Sequence, residues 1–203
     1  MQRKNIILII VIGVMFAVII NSFNSGKSEE EYVAELTEHR RKKNIDFQTA
    51  DDSPFFNNLE NFEGLHYYDP ALKFKVRAKF IPIENKQIRK LPTSDNKSKE
   101  YLDYGYVEFE IDEQPCRLLI LEVAGDEFDG SLFLAFGDAT SAIDTYGAGR
   151  YLEVEHDGAA FITLDFNYAY NPYCAYSKDF SCPFPPKENL LSVAIEAGEK
   201  NYE

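Results

Sequence analysis

The sequence has no tryptophan and, among 203 residues, only three histidines, three cysteines and two methionines. Three cysteines, at 116, 174 and 182, are too few for a four-cysteine zinc centre. None of His39, His66 and His156 has metal-ligand spacing with a cysteine, so no metal is expected. GxSxG, HExxH and paired CxxC are also missing. No cofactor is expected. Ser141, His156 and Asp138 would make a triad only if the fold gathered them, since triad members need not be close in sequence. No cysteine precedes Cys116, which excludes a bacterial lipoprotein anchor. Bases are also scarce: 21 Lys and Arg face 34 Asp and Glu, for a formal charge of −13. The first 28 residues hold Arg3, Lys4 and Lys27 and no acid, so the remainder is more acidic still. Such a surface repels phosphate backbones, and no nucleic-acid partner is expected.

One long hydrophobic run is present. Arg3 and Lys4 precede Ile6–Ile20, which is uninterrupted apolar sequence. Its fifteen residues would make about 22 Å of helix, against a bilayer core of about 30 Å. An uncleaved signal anchor is the preferred reading, and a cleaved signal peptide is the alternative. Either way the two bases hold the start in the cytoplasm and the rest is translocated. The expected location is therefore the cell envelope: anchored in the inner membrane through residues 6–20, with the domain on the periplasmic side, or released to the periplasm after cleavage.

Residues 1–28 are thus a targeting segment with a short linker, and 29–203 a single domain. Ser28 and Glu31 form a capping-box pattern, predicting an amphipathic helix over Glu29–Lys43. Arg40–Lys43 would then complement the dipole of its last turns. Leu72–Ile81 alternates apolar with Lys and Arg, a half-buried strand, and Pro82 ends it. Thr93–Glu100 reads as a polar hairpin loop. Tyr104–Ile111 and Cys116–Val123 flank Asp112–Pro115 as a hairpin. Gly125–Gly130 is a turn, and Ser131–Phe136 is a short apolar strand. Tyr151–Glu155 and Ala159–Asp165 read as a second hairpin about His156–Gly158, and Leu190–Glu196 as the closing strand. Short strands at this spacing predict a mainly β fold, an antiparallel barrel or sandwich of about eight strands.

The densest chemistry lies in LDFNYAYNPYCAYSKDFSCPFPPKEN, residues 164–189. Asp165, Asn167 and Asn171 alternate with aromatic residues. Short polar side chains can pin an irregular loop, and beside aromatic rings they also suit sugar binding. Gly147 and Gly149 precede a strand rather than a helix, so they read as a tight turn rather than a phosphate cradle. Arg150 follows, placed to grip a carboxylate, either an internal acid such as Asp165 or that of a ligand.

TYGAGRYL (145–152), LDFNYAYNPYCAYS (164–177), CPFPPKENLLSVAI (182–195) and AGEK (197–200) together resemble the bacterial and archaeal DUF 1684 family, a domain of unknown function. SPFF (53–56) and FEGLHYY (62–68) are similar to its more variable upstream half. Phe184 and Lys187 depart from the family's usual Leu and Pro. The resemblance implies a compact, mostly β domain and no established activity.

The leading expectation is an extracytoplasmic ligand-binding or structural module. Thr140, Tyr146, Arg150, Asn167, Tyr170 and Asn171 would line a polar cleft for a small molecule or glycan. The alternative is a hydrolase using Asp138, Arg150, Asp165 and Glu188 for acid–base chemistry in the same cleft. Cys174 and Cys182, eight apart, are expected to form a disulfide in an oxidising compartment, leaving Cys116 buried in its strand.

Overall fold

The computed structural model describes residues 28–56, 59–124 and 130–202. The expected anchor at Ile6–Ile20 and most of the Gly125–Gly130 turn lie outside these. Among the described residues, no helix is long and apolar enough to cross a membrane. The chain divides into two compact units, Met1–Glu38 and His39–Glu203.

In the first unit, the capping box forms as its chemistry dictates. Ser28 Oγ accepts from the Glu31 N–H, and Glu31 Oε2 accepts from the Ser28 N–H, each at 3.1 Å. Helix α1 runs over Glu29–Thr49, two turns beyond the expected end. The extension has a physical cause within the second unit. Phe47 packs edge-on against Tyr173 and Tyr176, with ring centroids 5.6 and 5.2 Å away, and also touches Phe55 and Phe62. Arg40–Lys43 therefore sit mid-helix and not in its last turns. Arg40 donates to the carbonyls of Tyr68 and Asn167, and Lys43 pairs with Glu199 at 2.9 Å. The inner face of this part of the helix is mixed, with Arg40 and Lys43 beside the buried Phe47.

Seven strands follow: β1 (Lys75–Pro82), β2 (Ile88–Pro92), β3 (Ser98–Ile111), β4 (Gln114–Val123), β5 (Leu132–Phe136), β6 (Arg150–Val154) and β7 (Phe161–Asp165). They form one antiparallel sheet in the order β6-β5-β4-β3-β1-β7, with β2 paired to β3. The alternating stretch forms β1 only from Lys75 and ends at Pro82; its expected first residues, Leu72–Phe74, make a 3-10 turn that leaves Leu72 exposed. The 112–115 hairpin is present, and Asp112 and Glu113 both take positive φ to make its two-residue turn. Strand β3 starts six residues earlier than expected, because Ser98–Leu102 pairs with β2 instead of looping out.

The expected hairpin around His156–Gly158 is absent. Strands β6 and β7 lie at opposite ends of the hydrogen-bonded order, yet residues 155–160 alone join them. Six extended residues reach at most about 21 Å. The sheet must curl until its ends approach, and the result is a half-barrel. The expected closing strand at Leu190–Glu196 is also absent, leaving seven strands among the described residues. That segment is irregular, touching the sheet through a bridge from Leu190 to Gly137.

Strands β4–β6 are buried on both faces, which explains their apolar runs. Cys116, Leu118, Ile120, Leu134, Phe136 and Leu152 point into one cluster with Phe166 and Ile195. Leu119, Leu121, Phe133, Ala135 and Tyr151 point into the other, which is closed by Tyr170, Cys174, Phe180 and Cys182. The tyrosine- and proline-rich segment is thus a strap over the outer face of the sheet. It crosses the glycine turn so closely that a Cβ on Gly149 would meet Pro185 Cγ and the Phe136 carbonyl, each at 2.6 Å. Gly149 also has φ +94°, so the turn needs glycine on two counts.

Candidate functional site

Arg150 opens β6 with its side chain inside the molecule, 1% exposed. Its partner is Asp138, not Asp165: Nη2 lies 2.8 Å from Asp138 Oδ2. The same nitrogen donates to the Ile195 carbonyl at 2.9 Å. Nη1 donates to the carbonyls of Ala197 and Glu199. Asp138 Oδ1 accepts from the backbone N–H and hydroxyl of Thr140 and from the Ile195 N–H. Thr140 in turn shares a hydrogen bond with Thr145. This buried knot ties the glycine-turn loop to the C-terminal segment and leaves no room for a ligand's carboxylate.

The other expected site residues do not gather around it. Asp165 accepts from the backbone and side chain of Asn167 and faces Lys75 at 3.6 Å. Asn167 also exchanges two hydrogen bonds with Ala71. Asn171 donates through its backbone and side-chain nitrogens to Glu199, and through the side chain to the Lys200 carbonyl. Glu188 pairs with Arg89 at 3.0 Å, and Arg89 also forks onto Asp103. Tyr146 donates to the Cys174 carbonyl at 3.4 Å. The four proposed acid–base residues are thus held by internal partners. The Ser141–His156–Asp138 triad does not assemble either, since His156 is bonded to Tyr104 and the Ala159 carbonyl.

Of the expected site residues, Tyr170 alone lines an open groove of about 570 Å³. The aromatic lining comes from Phe47 on α1, Tyr151 on β6, and Tyr170, Tyr173 and Phe180 on the strap. Pro172 and Pro183 stiffen the strap where it borders the groove. Lys43, Asp46, Lys99 and Glu153 supply charge around it, and His39 adds an imidazole. Tyr151 donates to the Pro183 carbonyl at 2.6 Å, and Tyr170 donates to Glu153. Burial, reinforced for Tyr170 by the Glu153 carboxylate, pushes both phenols well above their ordinary range, so they are neutral hydrogen-bond donors. Lys43 lies over the Tyr170 ring at 4.5 Å and is neutralised by Glu199. Burial pushes the Glu199 carboxyl up, and Lys43 draws it back. Burial and the neighbouring Lys43 and Arg40 lower His39. Lys99 is exposed and makes no ion pair among the described residues. Sequence reasoning missed His39, Lys99 and Tyr151 because only the fold brings them to the strap.

Cys174, Cys182 and Cys116 all carry free thiols here, so the expected bridge is not formed in this structure. The first two are adjacent, with the Cys174 N–H donating to Cys182 Sγ at 3.2 Å. Cys116 is buried on β4 as expected, and burial raises its thiol.

A curled antiparallel sheet under a C-terminal strap, with its arginine spent inside, defines a β domain whose accessible groove is aromatic. Residues 60–200 match the family described as "Protein of unknown function (DUF1684)", and the chain belongs to that family. It is similar to an uncharacterized protein of Haloarcula marismortui whose solution NMR structure is known. The two are 37% identical over 84% of this chain and 95% of that one, with a TM-score of 0.66. No curated protein matches the sequence.

Proposed function

We propose that this domain binds a small molecule in the aromatic groove, on the scaffold that the Arg150 knot holds rigid. The observation that carries this reading is the groove's composition: five aromatic side chains and two prolines beside a rim of mixed charge, in which Lys99 has no ion-pair partner among the described residues. Its volume suits a molecule of one or two rings. Flat apolar faces would stack on Tyr173 and Phe180, while an anionic or hydroxyl substituent would reach Lys99. Aryl carboxylates and glycans both meet that description, and a panel separates them.

A thermal-shift screen of both classes should give a hit that raises the melting temperature by about 5 °C or more at 100-fold excess over Kd. The shift should shrink in Phe180→Ala and, for an anionic ligand, in Lys99→Ser. It should persist in Ile143→Ala, since Ile143 is exposed and does not line the groove. A screen without hits, or a shift indifferent to Phe180, leaves the domain a structural module.

The envelope location belongs to the same reading and rests on the basic start and apolar run of residues 3–20. The full-length protein should stay with membranes through alkaline carbonate washing. In spheroplasts it should be digested by added protease. Recovery in the soluble fraction, protected from protease, would remove the anchor from the proposal.

A further inference from the structure

We propose that Cys174 and Cys182 form a redox-active dithiol, with Cys174 as the attacking sulfur, Cys182 as the resolving one, and small-molecule disulfides as the oxidant. The two thiols are set against each other by contacts from two other parts of the chain and by the turn that carries Cys174. Ser94 accepts from the Cys182 N–H at 3.2 Å, and its own N–H donates to the Cys182 carbonyl at 3.0 Å. The hairpin joining β2 to β3 therefore fixes the Cys182 backbone. Tyr146 in the glycine-turn loop holds the Cys174 carbonyl. A short helical turn over Tyr173–Ala175 then points the Cys174 N–H at Cys182 Sγ.

Exposure assigns the roles. Cys174 is half-buried and open to a reagent, whereas Cys182 is buried and lines the groove wall. The Cys182 thiol, hydrogen-bonded to Cys174, holds the latter down at about 7, outweighing the opposing effect of its burial. That same hydrogen bond, with burial, pushes Cys182 up. At neutral pH a large share of the first sulfur is therefore thiolate, and the second keeps its proton until needed. Cys116 has no such neighbour.

The reaction balances as two exchanges. The Cys174 thiolate attacks one sulfur of the oxidant, whose S–S bond breaks as a mixed disulfide forms. The departing thiolate takes a proton from solvent. Cys182 then loses its proton to solvent and attacks the Cys174 sulfur, expelling the second thiol. Two electrons and two protons pass from the protein to the oxidant, giving an internal disulfide and two small thiols. The bond forms in the wall of the groove, but its chemistry is read without any groove ligand.

The test uses the full chain, reduced and then exposed to oxidised glutathione. Tryptic mapping without reductant should find Cys174 joined to Cys182, with the bond reversed by reduced glutathione. Cys182→Ser should accumulate glutathione on Cys174. Cys174→Ser should react at position 182 at least about tenfold more slowly. At pH 7, iodoacetamide should label Cys174 at least about tenfold faster than Cys182 or Cys116, with a midpoint near pH 7 that moves upward in Cys182→Ala, which removes the hydrogen-bond donor. Linkage through Cys116, a chain-to-chain dimer as the main product, or equal reactivity of the three thiols would overturn the proposal. Far-ultraviolet circular dichroism of the variants separates loss of chemistry from loss of fold.

Discussion

Arg150→Met is expected to lower the free energy of unfolding by about 3–5 kcal/mol, the usual cost of stripping one partner from a buried ion pair. Methionine approximates the volume of the side chain but none of its donors. The Asp138 carboxylate, 1% exposed, would lose its counter-ion. The carbonyls of Ile195, Ala197 and Glu199 would lose theirs as well. Arg150→Lys should recover little. One ammonium cannot copy a planar fork that reaches four acceptors on two sides. Adding Asp138→Asn to Arg150→Met should restore part of the loss, because a neutral amide does not need the cation. Urea titrations measure all three, and a shift in midpoint at constant slope marks a true stability change. A cost below about 1 kcal/mol for Arg150→Met would mean that water replaces the guanidinium, and the site would then be open after all.

Asn189→Ala should cost about as much, for a different reason. Strands β4 and β5 pair briefly, through Leu121–Phe133 and Glu122–Leu132, with one more hydrogen bond from the Val123 N–H to the Ser131 carbonyl. Beyond those pairs, the Asn189 amide completes the pairing. Its Oδ1 accepts from the Leu119 N–H at 2.7 Å, and its Nδ2 donates to the carbonyls of Leu119 and Ala135 at 2.9 and 2.8 Å. Alanine would leave three fully buried backbone groups unpaired, each worth about 1–3 kcal/mol, so a loss of about 3–5 kcal/mol is expected after partial relaxation. Asn189→Asp should be no better, since it removes both donors and buries a charge. Urea denaturation reads the loss, and hydrogen exchange should show early opening at Leu119. A variant with native exchange there would show that the amide is not the plug between these strands.

How much of this was legible in the sequence follows the range of each interaction. The capping box of Ser28 and Glu31, the alternation of β1 and the hairpin at Asp112–Glu113 depend on neighbours a few residues apart, and each was read correctly. The end of α1 was not, because Phe47 is held by rings at 55, 62, 173 and 176. The pairing of β6 with β5 instead of β7 was invisible for a similar reason: two strands with a short link look like a hairpin whether or not the sheet between them curls. Arg150 was singled out as gripping a carboxylate, but the internal acid named for it was Asp165, and no local pattern brings Asp138 to it. The groove was hardest to see. Its strap residues Tyr170 and Cys182 stood out, whereas His39, Lys99 and Tyr151 come from three other elements with no motif to join them.

The order of the elements along the chain has a consequence for biosynthesis. All seven strands are made before the ribosome reaches the residues that satisfy them: the Asn189 amide and the carbonyls at 195, 197 and 199. A chain cut before Ile195 would lack Ile195 and Ala197 from the inner cluster and the three carbonyls that accept from Arg150. Truncation before these residues should therefore yield aggregates and not a slightly weaker protein.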